Sequence, residues 1–223
     1  MKITYIACAV LMLLAISWTK ENSGAGDNHL AQQKDIPSVT IGDQVWMQKN
    51  LDVTRYRNGD VIPQVKDSAK WSKLTTGAWC WYKNDAANGA VYGKLYNWYA
   101  VHDPRGLAPA GWHIPSDVEW STVITTLGMN AKNAGGKMKE TGTGHWLDPN
   151  VNATNSSGFS ALGAGYRDEL GQFAYINFLS YWWSSTPNGP LHAWCRRLVS
   201  YGGFMDRMAY ERGQAFSVRC VKD

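Results

Sequence analysis

Twelve tryptophans in 223 residues constrain this chain more than any other feature. An indole is large and mostly apolar, and its single N–H needs an acceptor when buried. A chain this rich in tryptophan must therefore build a core with well-placed carbonyls, or present flat rings to a ligand, or both. Trp46, Trp98, Trp112, Trp120 and Trp183 stand in apolar blocks and read as core. Trp146 stands alone in a glycine- and asparagine-rich stretch, and Trp81 opens the run Trp81-Tyr82-Lys83-Asn84-Asp85. These two read as ring platforms that would bury the C–H face of a sugar, with Asn84 and Asp85 fixing hydroxyls. Core packing is the competing reading for each of them.

The first residues have the form of an export signal. Lys2 precedes an apolar run from Ile3 to Ile16, too short for a membrane-spanning helix, and Ala15 and Ser17 have the spacing of a cleavage site after Ser17. Leu14-Ala15-Ile16-Ser17 has the form of the run before a lipidated cysteine, but Trp18 follows, so a free secreted, periplasmic or cell-surface protein is expected rather than a lipid-anchored one. Residues 18–37 read as a flexible linker, since the polar run Thr19 to Lys34 has too little apolar surface to offset its ordering entropy. Residues 38–223 fit one domain. The formal charge of +4 is too small to argue for nucleic acid. The late arginines (Arg196, Arg197, Arg207, Arg212 and Arg219) are interleaved with Asp206 and Glu211, as on a solvated, partly paired strand face.

Within the domain, Val39 to Met47 around Gly42-Asp43 has the form of a hairpin, and Asn58-Gly59 marks a second turn. Ala78 to Tyr82 reads as a strand, and the spacing of Tyr92, Leu95, Tyr96 and Tyr99 predicts a helix over 91–101. Ser116 and Glu119 form a capping box ahead of Trp120, Val123, Ile124 and Leu127, which predicts a helix ending at Gly128. Residues 133–158 read as one long loop. Strands are expected at 159–166, around Phe173 and Tyr175, over 181–185 and 192–198, and finally at 216–220. In the last of these, Phe216, Val218 and Cys220 face inward while Ser217 and Arg219 face outward. Helices early and antiparallel strands late make an α+β domain.

Six blocks occur in order: Val45–Val53 (VWMQKNLDV), Tyr92–Val101 (YGKLYNWYAV), Gly111–Trp120 (GWHIPSDVEW), Gly158–Arg167 (GFSALGAGYR), Tyr181–Thr186 (YWWSST) and Phe216–Asp223 (FSVRCVKD). Together they resemble the Fibrobacter succinogenes major paralogous domain family, over the whole stretch from about Val39 to the C-terminus. The resemblance implies an exported bacterial surface protein of undefined activity with a C-type lectin-like fold, two helices and a mainly antiparallel twisted sheet with long loops. It also implies a distant similarity to sulfatase-modifying, formylglycine-generating domains. Those relatives use two nearby cysteines, and here Cys195 stands alone in the comparable stretch, at a position where the family tends to have an aromatic residue. No catalytic residues are therefore expected.

Three cysteines follow the leader: Cys80, Cys195 and Cys220. Lectin-like folds bring the chain ends together, so the resemblance favours a Cys80–Cys220 disulfide with Cys195 free. Neither zinc spacing nor an acidic constellation marks a metal site. Thr186-Pro187-Asn188 matches a lectin calcium motif only loosely, and Asp148, Asn150, Asn152 and Asn155 read as turn chemistry before calcium ligands, so no cofactor is expected. Asn152-Ala153-Thr154 and Asn155-Ser156-Ser157 match the glycosylation sequon and read as loop asparagines; His102, His113, His145 and His192 read as structural. The expected function is a cell-envelope binding or adhesion module for a polysaccharide. A scaffold that displays loops to a surface protein is the alternative, and a divergent modifying enzyme ranks third.

Overall fold

A computed structural model describes residues 36–128 and 131–223. The leader, and the linker as far as residue 35, lie outside the described residues.

The hairpin forms as the sequence demands: β1 (Ser38–Ile41) pairs antiparallel with β2 (Gln44–Met47). A long irregular stretch follows, broken by α1 (Ser68–Trp71). The predicted strand over 78–82 is only β3 (Trp79–Cys80), and a short 3-10 turn occupies Tyr82–Asn84. The single helix predicted for 91–101 is three elements. They are α2 (Ala86–Tyr92), β4 (Leu95–Asn97) and α3 (Trp98–Val101). Gly93, at φ 76°, ends α2 and swings the chain into the sheet, so Leu95 and Tyr96 meet strand partners while Tyr92 and Tyr99 stay in separate helices.

Strand β5 (Trp112–His113) leads to α4 (Asp117–Gly128), whose start is the predicted capping box. The Glu119 carboxylate accepts from the Ser116 amide at 2.7 Å and hydroxyl at 2.8 Å, while the Ser116 hydroxyl accepts from the Glu119 amide at 3.2 Å. The predicted loop 133–158 begins inside a helix, α5 (Ala131–Met138). Gly135 and Gly136 hid it, because two glycines weaken helix propensity. Tertiary packing requires both: a Cβ at Gly135 would lie 2.3 Å from the Phe204 carbonyl oxygen, and one at Gly136 2.3 Å from that of Asn152.

The remaining strands are β6 (Tyr166–Arg167), β7 (Phe173–Ala174), β8 (Leu179–Asn188), β9 (His192–Val199), β10 (Asp206–Glu211), β11 (Ala215–Phe216) and β12 (Val221–Lys222). Among the described residues the twelve strands form three sheets, in the orders β1-β2-β12-β5, β10-β9-β8 and β3-β4-β11-β6-β7, and every ladder is antiparallel. The domain is α+β, and its C-terminal strand closes against the N-terminal hairpin and β5. Most of the stretch 159–166 is not strand, because it is held by single bridges and side-chain donors rather than a ladder. The last segment departs from period-2 burial: Ser217 and Arg219 are as buried as Phe216, Val218 and Cys220, because β8 and the 159–161 segment cover its second face.

The disulfide expectation is overturned. Cys80, Cys195 and Cys220 are all free and fully buried. The chain ends do meet, but Cys220 leads into β12 beside β2 and β5, whereas Cys80 sits on β3, opposite Leu95 in another sheet. Burial pushes the Cys80 and Cys220 thiols up to about 12, and the Cys195 thiol is raised by the same cause.

Three of the buried cations among the described residues tie the irregular segments together, each collecting carbonyls against an aromatic ring. Arg167 donates to Val65, Lys66 and Gly171 over Trp71 and Phe173. Lys139 donates to Val151, Val199 and Gly202 beside Trp146. Arg219 donates to Met47 and Phe159 over the Phe159 ring. Unpaired buried carbonyls are costly, so one side chain with several donors can fix loops that lack ladders of their own. The charged strand face expected around the late arginines is thus divided. Arg197 pairs with Asp206 half-buried at the surface, Arg196 binds Asp117 at 2.6 Å inside the domain, and Arg219 is core.

Candidate functional site

The sequence pointed to Trp81, Asn84, Asp85 and Trp146, and the structure does not gather these into one site. Trp146 is wholly buried, with its indole N–H donated to the Ala161 carbonyl at 2.8 Å. It cannot meet a ligand, because the 138–161 segment closes around it. Trp81 is half-buried, edge-on to Trp79 at 5.2 Å, and α2 rests on it so closely that a Cβ at Gly89 would lie 2.4 Å from its Nε1. Asn84 donates to the Lys66 carbonyl at 3.1 Å, and Asp85 caps α2 through the Ala87 amide at 2.9 Å. Both therefore have local structural duties.

The asparagines of the long loop also serve turns. Asn150, Asn152 and Asn155 have φ of 40°, 59° and 49°, in the left-handed region that asparagine tolerates. The Asn150 side chain spans the Glu140 and Gly142 carbonyls, and that of Asn155 clasps Ser160.

What the surface does present is a run of tyrosine and phenylalanine rings. Tyr166 of β6, Tyr175 and Phe178 of the β7–β8 turn, and Tyr201 and Phe204 of the β9–β10 turn follow one another at centroid spacings of 6.0, 5.7, 5.5 and 6.2 Å. Tyr175 is 54% exposed and Tyr201 51% exposed. Behind the run lies a shallow depression of about 340 Å³, lined by Tyr82, Leu147, Tyr175, Ile176 and Phe178. Burial, and beyond it the neighbouring Tyr175, Tyr210, Asp168 and Glu169, holds the Tyr166 hydroxyl above the usual tyrosine range.

The β7–β8 turn is fixed in an uncommon conformation. Tyr175 and Asn177 have φ of 63° and 61°, and a bulky residue adopts that region only when its surroundings over-determine it. Here they do. The Asn177 amide donates to Gly163 at 2.6 Å, its carbonyl accepts from Leu147 at 2.7 Å, and its side chain accepts from the Tyr92 hydroxyl at 2.6 Å. A Cβ at Gly163 would lie 2.8 Å from Asn177 Cα, and one at Gly165 2.6 Å from the Ala174 carbonyl. The spacing of glycines in the Gly158–Arg167 block is what lets this turn seat with the Tyr175 ring outward. Sequence reading placed Phe173 and Tyr175 in a strand and missed the run, because its members come from three separate turns and strand ends. The glycine pair was the available signal.

The family model of the Fibrobacter succinogenes major domain matches residues 39–222, nearly all of the described chain. The protein belongs to this family. Neither the curated proteins nor the solved structures compared with it gave a match. The ring run of this Fibrobacter succinogenes major domain lies within the matched residues. So do the capping box at Ser116 and the three buried cations. Among the described residues no helix is long and apolar enough to cross a membrane.

Proposed function

We propose that this protein is an exported, non-catalytic binding module of the cell envelope, and that a polysaccharide lies along the ring run from Tyr166 to Phe204. The observation that carries this reading is Tyr175, a half-exposed aromatic ring held outward by a left-handed backbone that its neighbours enforce. Rigid aromatic faces offer large contact area at low ordering cost, and Asp168 and Glu169, which follow Tyr166 in the chain and accept from Gln172 and Gln214, keep lone pairs for hydroxyls. The leader pattern supports export. A C-type lectin-like topology is our reading of the fold, supported by terminal strands that pair with each other and by the long irregular region between them. The absence of a catalytic role is part of the proposal, and the burial of all three thiols, each raised away from reactivity, supports it.

A surface-protein partner is the second reading. It is favoured by Leu147, 49% exposed at the edge of the same depression.

Binding of the full chain to a panel of plant and bacterial polysaccharides, with and without a chelator, tests the proposal. Tyr175→Ala and Tyr201→Ala are expected to weaken binding at least tenfold, with the chelator without effect. Binding that survives both substitutions would move the site elsewhere. No binding across the panel would leave the protein-partner reading, and chelator sensitivity would bring calcium back.

A further inference from the structure

Of the three cations that tie the irregular segments, Arg219 lines a cleft. The cleft is about 460 Å³, within the range of small-molecule sites, and is bounded by the segment after β2, the end of α2, Glu140 and Ser160, with Arg219 and Asn50 also lining it.

Donors outnumber acceptors there. Four of the five Arg219 N–H groups go to neutral oxygens: Met47 and Phe159 carbonyls at 3.1 and 2.5 Å, and Asn50 Oδ1 at 3.2 and 3.0 Å. Asn50 Oδ1 also accepts from the Trp182 indole at 2.9 Å, so one oxygen with two lone pairs serves three donors. The Asn50 amide group is turned the other way and committed, donating to the Tyr92 carbonyl at 2.9 Å and the Ser217 hydroxyl at 3.2 Å. Among the described residues no carboxylate forms an ion pair with Arg219. Burial pushes its guanidinium down to about 9, the direction expected of a charge without a counter-ion.

The rim completes the pattern. Lys49 is exposed and forms no ion pair among the described residues. The two acids that line the same cleft are already engaged, Asp52 with Lys94 and Glu140 with His145 at 2.7 Å. Engaged carboxylates retain lone pairs and accept readily from hydroxyls.

We propose that this cleft binds a small hydroxylated carboxylate of the sugar-acid class. Its carboxylate takes the place of a second acceptor for the Arg219 guanidinium, which now shares Asn50 Oδ1 with Trp182, and pairs with Lys49; its hydroxyls meet Asp52 and Glu140. The observation behind this is the surplus of buried donors at Arg219, independent of the aromatic run. Phosphate shares the anionic chemistry, and the test separates the two.

Calorimetric titration of the full chain at low salt with sodium galacturonate, galactose and inorganic phosphate decides the matter. Galacturonate is expected to bind, with galactose and phosphate each at least tenfold weaker. Arg219→Lys risks the fold, so the informative variants are Ala90→Trp, which fills the cleft from an exposed position, and Lys49→Glu. Each is expected to lower galacturonate affinity at least tenfold with the thermal midpoint unchanged, and Tyr175→Ala is expected to leave it unaltered. Equal binding of galactose, tighter binding of phosphate, no heat with galacturonate, or full affinity in Ala90→Trp and Lys49→Glu would each overturn the proposal.

Discussion

Tryptophan and tyrosine divide the labour in this domain. Among the described residues Trp46, Trp71, Trp79, Trp98, Trp112, Trp120, Trp146, Trp182 and Trp183 are buried, and Trp81 and Trp194 are half-buried. All of the buried ones except Trp112 donate the indole N–H to an acceptor inside the domain, mostly a backbone carbonyl. Tyrosine runs from the wholly buried Tyr96 to the exposed Tyr175 and Tyr201. The difference is chemical. An indole brings a larger apolar body and a single donor, which a carbonyl in an irregular loop can absorb. A phenol has its polar group at the ring tip, so it can lie half in water at no loss. Abundance of tryptophan here reports on how irregular segments are held, and the exposed tyrosines are where the proposed ligand would be met.

The largest effect should come from removing a tryptophan that the sequence alone would place at the surface. Trp146→Ala is expected to cost about 3–5 kcal/mol in urea unfolding, as large-to-small core substitutions do, whereas Tyr175→Ala should cost under about 1.5 kcal/mol. Similar costs for the two would dissolve the division.

Next comes the buried ammonium. Lys139→Met strands the Val151, Val199 and Gly202 carbonyls, and about 1–3 kcal/mol should be lost at neutral pH. Burial pushes the Lys139 ammonium down to about 8, from 10.5 in the open chain. Between those values the unfolded chain holds more protons than the folded one, so stability must rise with pH there. Wild type should therefore gain on Lys139→Met from about pH 8 to 10.5 in paired unfolding curves, and parallel curves would show that the lysine is not desolvated.

A smaller effect belongs to the clasp at the C-terminus. His113 lies 2.6 Å from Glu119 and 2.8 Å from Asp223. Burial lowers its affinity for a proton, but the two hydrogen bonds outweigh that and hold it above the usual histidine range. A raised folded value gives stability that is complete below 6.5 and fades as pH rises through the folded value. The advantage of wild type over His113→Gln should be about 0.5–1 kcal/mol at pH 5.5 and vanish in mildly alkaline buffer, read from chemical denaturation at each pH.

The smallest and finest comparison is at Tyr175 itself. Glycine tolerates the left-handed backbone that alanine resists, so Tyr175→Gly should be more stable than Tyr175→Ala by about 1 kcal/mol, with ligand binding lost in both. Equal stabilities would mean that the turn relaxes once the ring is gone.

Some of this was legible in the chain. The hairpin at Val39–Met47 and the capping box at Ser116 and Glu119 are local devices, complete within a few residues, and they formed as read. The period-2 run at His192–Leu198 likewise became β9, inside an α+β domain. Family membership was carried by six ordered blocks. Tertiary structure decided the rest. Whether Tyr92–Tyr99 was one helix depended on β3 and β11 offering strand partners. The helix hidden at Gly135-Gly136 depended on how closely Phe204 and Asn152 approach. Cys80 and Cys220 were kept apart by lying in different sheets. Trp146 went inward because Ala161 supplied a carbonyl and Lys139 a cation, while Tyr175 went outward because Gly163 and Gly165, ten or more residues away, left room for its turn. Local pattern fixes what a few neighbouring residues can satisfy among themselves. The fate of a ring or a charge depends on acceptors and space that distant segments bring to it.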